Sequence, residues 1–296
     1  MLGPMSISRR DLLVYGAGIG AALPLIGNLP TARADGGDGD GGEGGDSYAT
    51  EAERRFARFA SAMQCARLAE LPLLTGDNSV NGGIRFDDEM AAVTGSSKWR
   101  LQRAARVGDI AHRMDPGVLP MFTIGFAILG DTNGQTQAFT SLDAALQFLV
   151  QACGLPREGL SFTTTDAVGP IFNGNGGDAP PAFAVYGLDP SRVTYRAHAE
   201  ALAAGDGSGW FFDPRNNVGF PTVSIEFTRG GLTLELGEVS PSGFGFGMER
   251  LQWAMTGAMP TWSQVLPTLL SRIRSEAHRA HVALPSGYIL LAASGQ

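Results

Sequence analysis

Ser242-Gly-Phe-Gly-Phe-Gly-Met-Glu-Arg-Leu251 is the segment whose spacing is best suited to chemistry. Glycines at 243, 245 and 247 strip one face of a strand-to-helix junction of side chains, so a flat ligand or a phosphate chain can approach the backbone closely. The helix that follows starts with unpaired N–H groups, and Arg250 falls in its first turns with a permanently charged, bidentate fork. Together these features suit a polyphosphate. A glycine-rich turn ahead of a helix also serves plain close packing, and that reading stays open. Glu226 and Glu238 each sit in an apolar strand-like run. A buried carboxylate without a partner is costly, so a satisfying neighbour or a ligand is expected at each. Other chemistries find little support. His112, His198, His278 and His281 are scattered, the last two on one helix, where a metal pair or a solvated face are the options. Gly205-Asp-Gly-Ser-Gly209 misses the spacing of a nucleophile elbow. Cys65 and Cys153 form no CxxC pair; they are either a disulfide or two buried small hydrophobes.

The elements that must position these residues follow from periodicity. Ala49 to Glu70 places Phe56, Phe59, Met63, Ala66 and Leu68 on one helical face, with a stop near Pro72. Met121 to Leu129 is continuously apolar and reads as a strand buried on both faces. Ser141 opens a helix that ends at Gly154, and Ser161 to Thr165 reads as a strand. Asn173 to Pro181 is a glycine and proline loop. Val223 to Phe227 and Leu232 to Val239 read as strands joined by Thr228-Arg229-Gly230-Gly231 as a hairpin. Helix resumes at Glu249, and Thr261 to His281 is amphipathic through Val265, Leu266, Leu269, Leu270 and Ile273. Helices beside neighbouring antiparallel strands, without a βαβ rhythm, predict an α+β fold.

The chain has 296 residues, 44% hydrophobic and 17% charged, enough for one large domain with a full core. A net charge of -7 advertises no general nucleic-acid surface. Residues 1–34 read as an export signal: Ser8-Arg9-Arg10-Asp11-Leu12-Leu13 is a twin-arginine pattern, followed by a glycine-interrupted apolar stretch to Leu29 and Ala32-Arg33-Ala34 as a cleavage site. A membrane anchor or a cytoplasmic tail is the alternative. Residues 35–47 are nearly all glycine and acid, a flexible linker. The expected organisation is then a core over 48–258 and a helical extension over 259–296.

Gly245-Phe-Gly-Met-Glu-Arg-Leu251 resembles motif 3 of class II aminoacyl-tRNA synthetases, whose arginine holds the outer phosphates of ATP. Leu234-Glu-Leu-Gly-Glu-Val239 is similar to the strand before it in the alanyl type, and Val218-Gly-Phe-Pro-Thr-Val-Ser-Ile-Glu-Phe227 to a glycine-proline segment ahead of that. Gly205 to Trp210 resembles the loop whose tryptophan walls the alanine pocket. Arg106-Val-Gly-Asp-Ile-Ala-His-Arg113, Met121 to Asp131 and Leu146 to Asp166 run in the family's order, and His278 to Leu290 is similar to the start of its helical tRNA-binding region. The resemblance spans about residues 50 to 290.

This resemblance implies a six- or seven-stranded antiparallel sheet flanked by helices, binding ATP and Mg2+ and forming an aminoacyl-adenylate from an amino acid. Arg106 would hold the α-phosphate, with Arg103 as alternative; Arg250 the outer phosphates; Glu226 magnesium or the adenine side; Gly245 and Gly247 the nucleotide floor. Trp210 would wall the substrate pocket. Glu238 would face the amino acid where the family has an asparagine, and Gly243 falls where the family has the aspartate that grips the substrate amino group. The motif 2 acid falls near Thr123 or Ile124, and Arg103 and Arg106 can also be read as a solvated charge run with Lys98, Arg100 and Arg113. Without tRNA-recognition or editing domains, the acceptor would be a small molecule, a carrier or a tRNA presented by another protein. The alternative is a catalytically silent relative that binds an amino acid or nucleotide.

Overall fold

The computed structural model describes residues 48–77, 79–84, 96–106, 122–129, 138–165, 181–204, 207–213, 218–240 and 243–288. The export signal and linker, the Asn173–Pro181 loop but for Pro181, and the ends of several family-like segments, Asp131 and Asp166 among them, lie outside these residues.

The protein is α+β. Among the described residues, ten strands run in chain order: β1 Ala66–Arg67, β2 Lys98–Arg103, β3 Thr123–Ile128, β4 Leu160–Thr165, β5 Val193–Arg196, β6 Trp210–Asp213, β7 Val218–Pro221, β8 Val223–Arg229, β9 Leu232–Ser240 and β10 Gly243–Gly247. Six α-helices of the described residues accompany them: α1 Thr50–Ala62, α2 Ala138–Gln147, α3 Pro181–Tyr186, α4 His198–Ala204, α5 Met248–Thr256 and α6 Trp262–Ala280. The main sheet has eight strands in the order β1-β2-β3-β10-β9-β8-β4-β5, while β6 and β7 form a separate ribbon. The expected sheet was wholly antiparallel. Here the inner pairs are antiparallel, but β1 joins β2 and β5 joins β4 in parallel, so the sheet is mixed.

Apolar residues at alternate strand positions face one layer of helices. Val223, Ile225 and Phe227 of β8, Phe244 and Phe246 of β10, and Trp99 and Ala127 pack with Phe56 and Phe59 of α1, Leu146 of α2 and Leu251 and Trp253 of α5 in the largest cluster. Gly125 lets this layer close, since a Cβ there would lie 3.0 Å from the Phe56 ring. The opposite face differs in character from one end to the other. Over β3, Ile124, Phe126 and Ile128 are covered by Leu68 and Ile84. Over β8, β9 and β10 it carries glycine and polar residues, and the candidate site lies there.

Several boundaries depart from the periodicity reading. The helix expected to Glu70 stops at Ala62; Gln64 turns left-handed at φ 60, and Ala66–Arg67 leave the helix to pair with Lys98–Trp99. The helix expected from Ser141 begins at Ala138 and ends in a wide turn, Phe148–Ala152, before Gly154 at φ 69. The cationic run from Lys98 is an inner strand with Arg100 and Gln102 fully buried, so the solvated-run reading fails for β2. The predicted hairpin forms, with Gly230 and Gly231 both at positive φ as a two-residue turn of this hand demands. Thr261 caps α6 through a reciprocal bond with Gln264. Cys65 and Cys153 are free, buried thiols rather than a disulfide; burial pushes Cys65 up to about 11 and Cys153 further.

Candidate active site

A bulge in β9 makes the site. Ile225 pairs with Gly237 and Glu226 with Glu235, which leaves Leu236 as an extra residue on β9. Leu236 turns into the helix-side core, and the pleat on either side of it is shifted by one. Strict alternation would put Glu235 and Glu238 on opposite faces. The bulge puts both on the open face, Glu235 opposite Glu226 and Glu238 opposite Ser224. On the next strand Gly245 is the partner of Glu238, so the carboxylate stands beside a position without a side chain.

Glu238 is ringed by hydroxyls. Thr222 and Ser224 each donate to its Oε1 at 3.4 Å, and Ser224 Oγ itself accepts the Gly209 N–H at 3.0 Å. Gly207, from the same loop, would place a Cβ 3.9 Å from Glu238 Oε1. Burial, reinforced by the charge of Glu235, pushes the Glu238 carboxyl up to about 8. The hydroxyls and the Arg106 guanidinium pull it the other way. Arg106, the last described residue after β2, is the weakest of these influences on Glu238. Glu226 is also raised, by burial first, with Ser161 and Thr163 hydroxyls opposing and Glu235 adding to the effect.

Arg250 enters from the first turn of α5. Its Nη1 donates to the Glu235 carbonyl at 3.0 Å and lies 3.9 Å from the Glu235 carboxylate. Arg250 thus sits against Glu235, the carboxylate whose charge raises the proton affinity of Glu238. Arg103 stands elsewhere. Its side chain points to the helix layer, with Nη2 3.5 Å from Glu53 of α1, while its backbone N–H donates to Glu70. Parity explains this: Arg103 is the partner of Thr123 and so faces opposite to Arg100 and Gln102, whose partners are Phe126 and Ile124. Of the two arginines proposed for the α-phosphate, Arg103 faces the helix layer, away from Glu238.

Trp210 opens β6, directly after Gly209, and its ring lies edge-on to His198 with centroids 4.3 Å apart. Gly219 on β7 gives the ring room, since a Cβ there would meet Trp210 Nε1 at 2.8 Å. Gly243 is closed instead of open: a Cβ there would lie 2.0 Å from the Ala127 carbonyl oxygen. Gly247 is the N-cap of α5 in extended conformation, as a strand-to-helix junction requires. Two residues were missed in the sequence. Glu235 was passed over as one acid of the Leu-Glu-Leu-Gly-Glu run. Glu249 is buried, accepts the Thr123 N–H at 3.1 Å on Oε2, and is pushed up by burial to about 7. The signal for Glu235 was present: two acids three apart in an otherwise apolar strand need a bulge to share a face.

Mg2+ binds through one or two carboxylates, with phosphate oxygens and water completing its shell. Glu226, with Glu235 opposite it, meets that limited demand. Among the described residues no cluster of three or more His, Cys, Asp or Glu side chains is arranged to hold a metal by protein ligands alone. His278 and His281 end α6, the latter as its left-handed C-cap. No protein-family model matches the chain, and no curated protein matches it in sequence.

Proposed function

We propose that this protein is a class II synthetase-like ligase that uses ATP to convert an amino acid to its adenylate. The observation that supports the reading is Arg250, at the start of α5, set against Glu235 on the strand that also carries Glu238 and pairs with the glycine strand β10. Adenylation needs a carboxylate positioned against the α-phosphate and positive charge on the phosphates, with no protein nucleophile. Arg106 at the exit of β2 is suited to the α-phosphate, and Arg250 to the outer phosphates. Gly245 carries no side chain of its own, but Phe126 and Ile84 lie against it, within 3.3 Å of where a Cβ would stand. Bound Mg2+, held by Glu226 and the phosphates, would neutralise charge on the leaving pyrophosphate. The antiparallel β2–β3 pair and the β10-to-α5 junction give the motif 2 and motif 3 resemblances appropriate local forms.

The closing of Gly243 favours a second reading, a binder of amino acid or nucleotide that has lost catalysis. A twin-arginine leader, which we propose exports the protein, points the same way because ATP is scarce outside the cytoplasm. Among the described residues no helix is long and apolar enough to cross a membrane. ATP–pyrophosphate exchange by the purified chain, run with each amino acid in turn, decides between them. Exchange that disappears in Arg250→Ala supports the ligase. Thermal stabilisation by amino acid or ATP without exchange supports the binder. Neither response removes both.

A further inference from the structure

Strand β3 serves one edge of β2, but among the described residues β1 follows the other edge only as far as Trp99. The N–H of Arg103 has no strand on that side to receive it, and a main-chain donor left unmet away from water is costly. Glu70 supplies the acceptor. Its Oε1 accepts the Arg103 N–H at 2.6 Å, and its Oε2 accepts from Nη1 of Arg272, on α6, at 2.7 Å. The same guanidinium donates from Nε to Glu276 Oε1 at 2.9 Å, and Glu276 Oε2 accepts the Leu74 N–H at 2.9 Å. One arginine of α6 thus clasps two carboxylates, each holding a main-chain N–H outside the helix. Resting on the ligase reading above, we infer that Glu70, clasped by Arg272, is a positioning residue for Arg106, so that α6 belongs to the site rather than to an appended extension.

From this contact to Arg106 the main chain is held at each step. The Arg103 carbonyl accepts from Gln102 Nε2 at 2.9 Å and from Asn81 Nδ2 at 3.3 Å. The Ala104 N–H donates to the Phe122 carbonyl at 2.8 Å, and the Ala105 N–H to the Asn81 carbonyl at 2.6 Å. Arg106 comes next, so its side chain starts from a fixed base. Packing brings α6 to the same base: its Leu266, Leu269 and Ile273 are buried with Leu73, Ala105 and Phe122. The clasp itself is partly open to water, with the side chains of Arg272 31% and Glu70 26% exposed. Ion pairs at that exposure add little to stability. What this one supplies is geometry, because a guanidinium bonded through separate N–H groups holds its carboxylates in a fixed plane. A displacement of about 1 Å at a reacting group can cost on the order of 10²-fold in rate.

Pyrophosphate exchange by the full chain tests this with Arg272→Gln, Glu70→Ala and Glu70→Gln, each alone and combined with Arg106→Ala, folding being checked by circular dichroism. Arg272→Gln and Glu70→Ala should each lower kcat about tenfold, with KM for ATP within about twofold of the unsubstituted chain. In the Arg106→Ala background the same two changes should alter exchange by about twofold at most, because the group they position is gone. Glu70→Gln still offers an oxygen to the Arg103 N–H and should keep more activity than Glu70→Ala. A loss of about tenfold that persists in the Arg106→Ala background marks a general weakening of the fold and overturns the assignment. Undiminished exchange in Arg272→Gln overturns it, as do equal losses in Glu70→Gln and Glu70→Ala, and all three outcomes leave the ligase reading standing. If the unsubstituted chain shows no exchange with any amino acid, the assignment and the ligase reading fall together. Should Glu70→Ala not fold, Arg272→Gln, altered at the more exposed end of the pair, carries the comparison across both backgrounds.

Discussion

Glu238 of β9 and Gly245 of β10 are register partners, so a buried carboxylate stands beside a residue that has no side chain to cover it. It shares this face with Glu226 by ordinary strand alternation, and with Glu235 only because Leu236 forms a bulge. The arginines that serve this face are distinguished by strand parity and by helix position, and each gives a measurable contrast.

Arg106 and Arg103 belong to the same cationic run but to different surroundings. Arg106→Ala should lower pyrophosphate exchange on the order of 10²-fold, the cost of removing one preorganised charge contact. Arg103→Ala should leave exchange within about twofold and cost about 1 kcal/mol or less in stability, since its pairing with Glu53 is partly exposed. Equal losses in the two variants would contradict the placement.

Arg250→Lys retains charge but loses the planar fork. Its exchange rate should remain well below that of the unsubstituted chain, by about tenfold or more, because Lys presents a point charge where Arg makes two-pronged contact. Full activity in the lysine variant would show that charge alone suffices.

Glu249 supplies a pH dependence of stability. Its folded-state pKa is raised to about 7 from a reference of 4.5, so the folded chain holds the proton more tightly than the unfolded chain. Stability from this group is fully present below 4.5 and is lost as pH rises through about 7. At ~1.4 kcal/mol per unit, the loss is bounded by about 3 kcal/mol. Urea midpoints measured between pH 5 and 8 should fall with rising pH, and Glu249→Gln, which still accepts the Thr123 N–H, should flatten that trend.

Gly237 and Gly243 are closed to side chains by backbone atoms, each with a virtual Cβ 2.0 Å from a carbonyl oxygen. Alanine at either position should cost about 3 kcal/mol or more, because main chain rather than a flexible side chain must move. Gly230→Ala, at a turn with nothing within 4 Å but φ 61, should cost less, about 1 kcal/mol. Chemical denaturation of the three variants checks the order.

Arg9→Lys with Arg10→Lys should hold the precursor inside the cell, as measured by fractionation and immunoblot. Unchanged export would reject the twin-arginine assignment.

Much of the element pattern was legible in the residues. The apolar run around Thr123–Ile128, the hairpin at Gly230–Gly231, the strand into helix at Gly243–Thr256 and the capped helix from Trp262 all follow from local periodicity and turn chemistry. Local signals of this kind are complete within a few residues. Glycines 243, 245 and 247 and the acids Glu226 and Glu238 were equally visible, but not that the Ala127 carbonyl closes Gly243 or that Phe126 and Ile84 lie against Gly245.

What remained was decided by pairing across long stretches of chain. The parallel additions of β1 and β5 rest on partners about thirty residues away, and no local pattern announces them. Arg103 and Arg106 look equivalent in sequence, yet Arg103 is still in β2 and its register opposite Thr123 sends it to the helix layer, whereas Arg106 lies beyond the strand. Glu235 joins Glu238 only through a bulge that the register of β8 imposes. Side-chain identity was therefore fixed by the sequence, whereas the face each side chain occupies was fixed by strand register, because a period of two reverses with every single-residue shift.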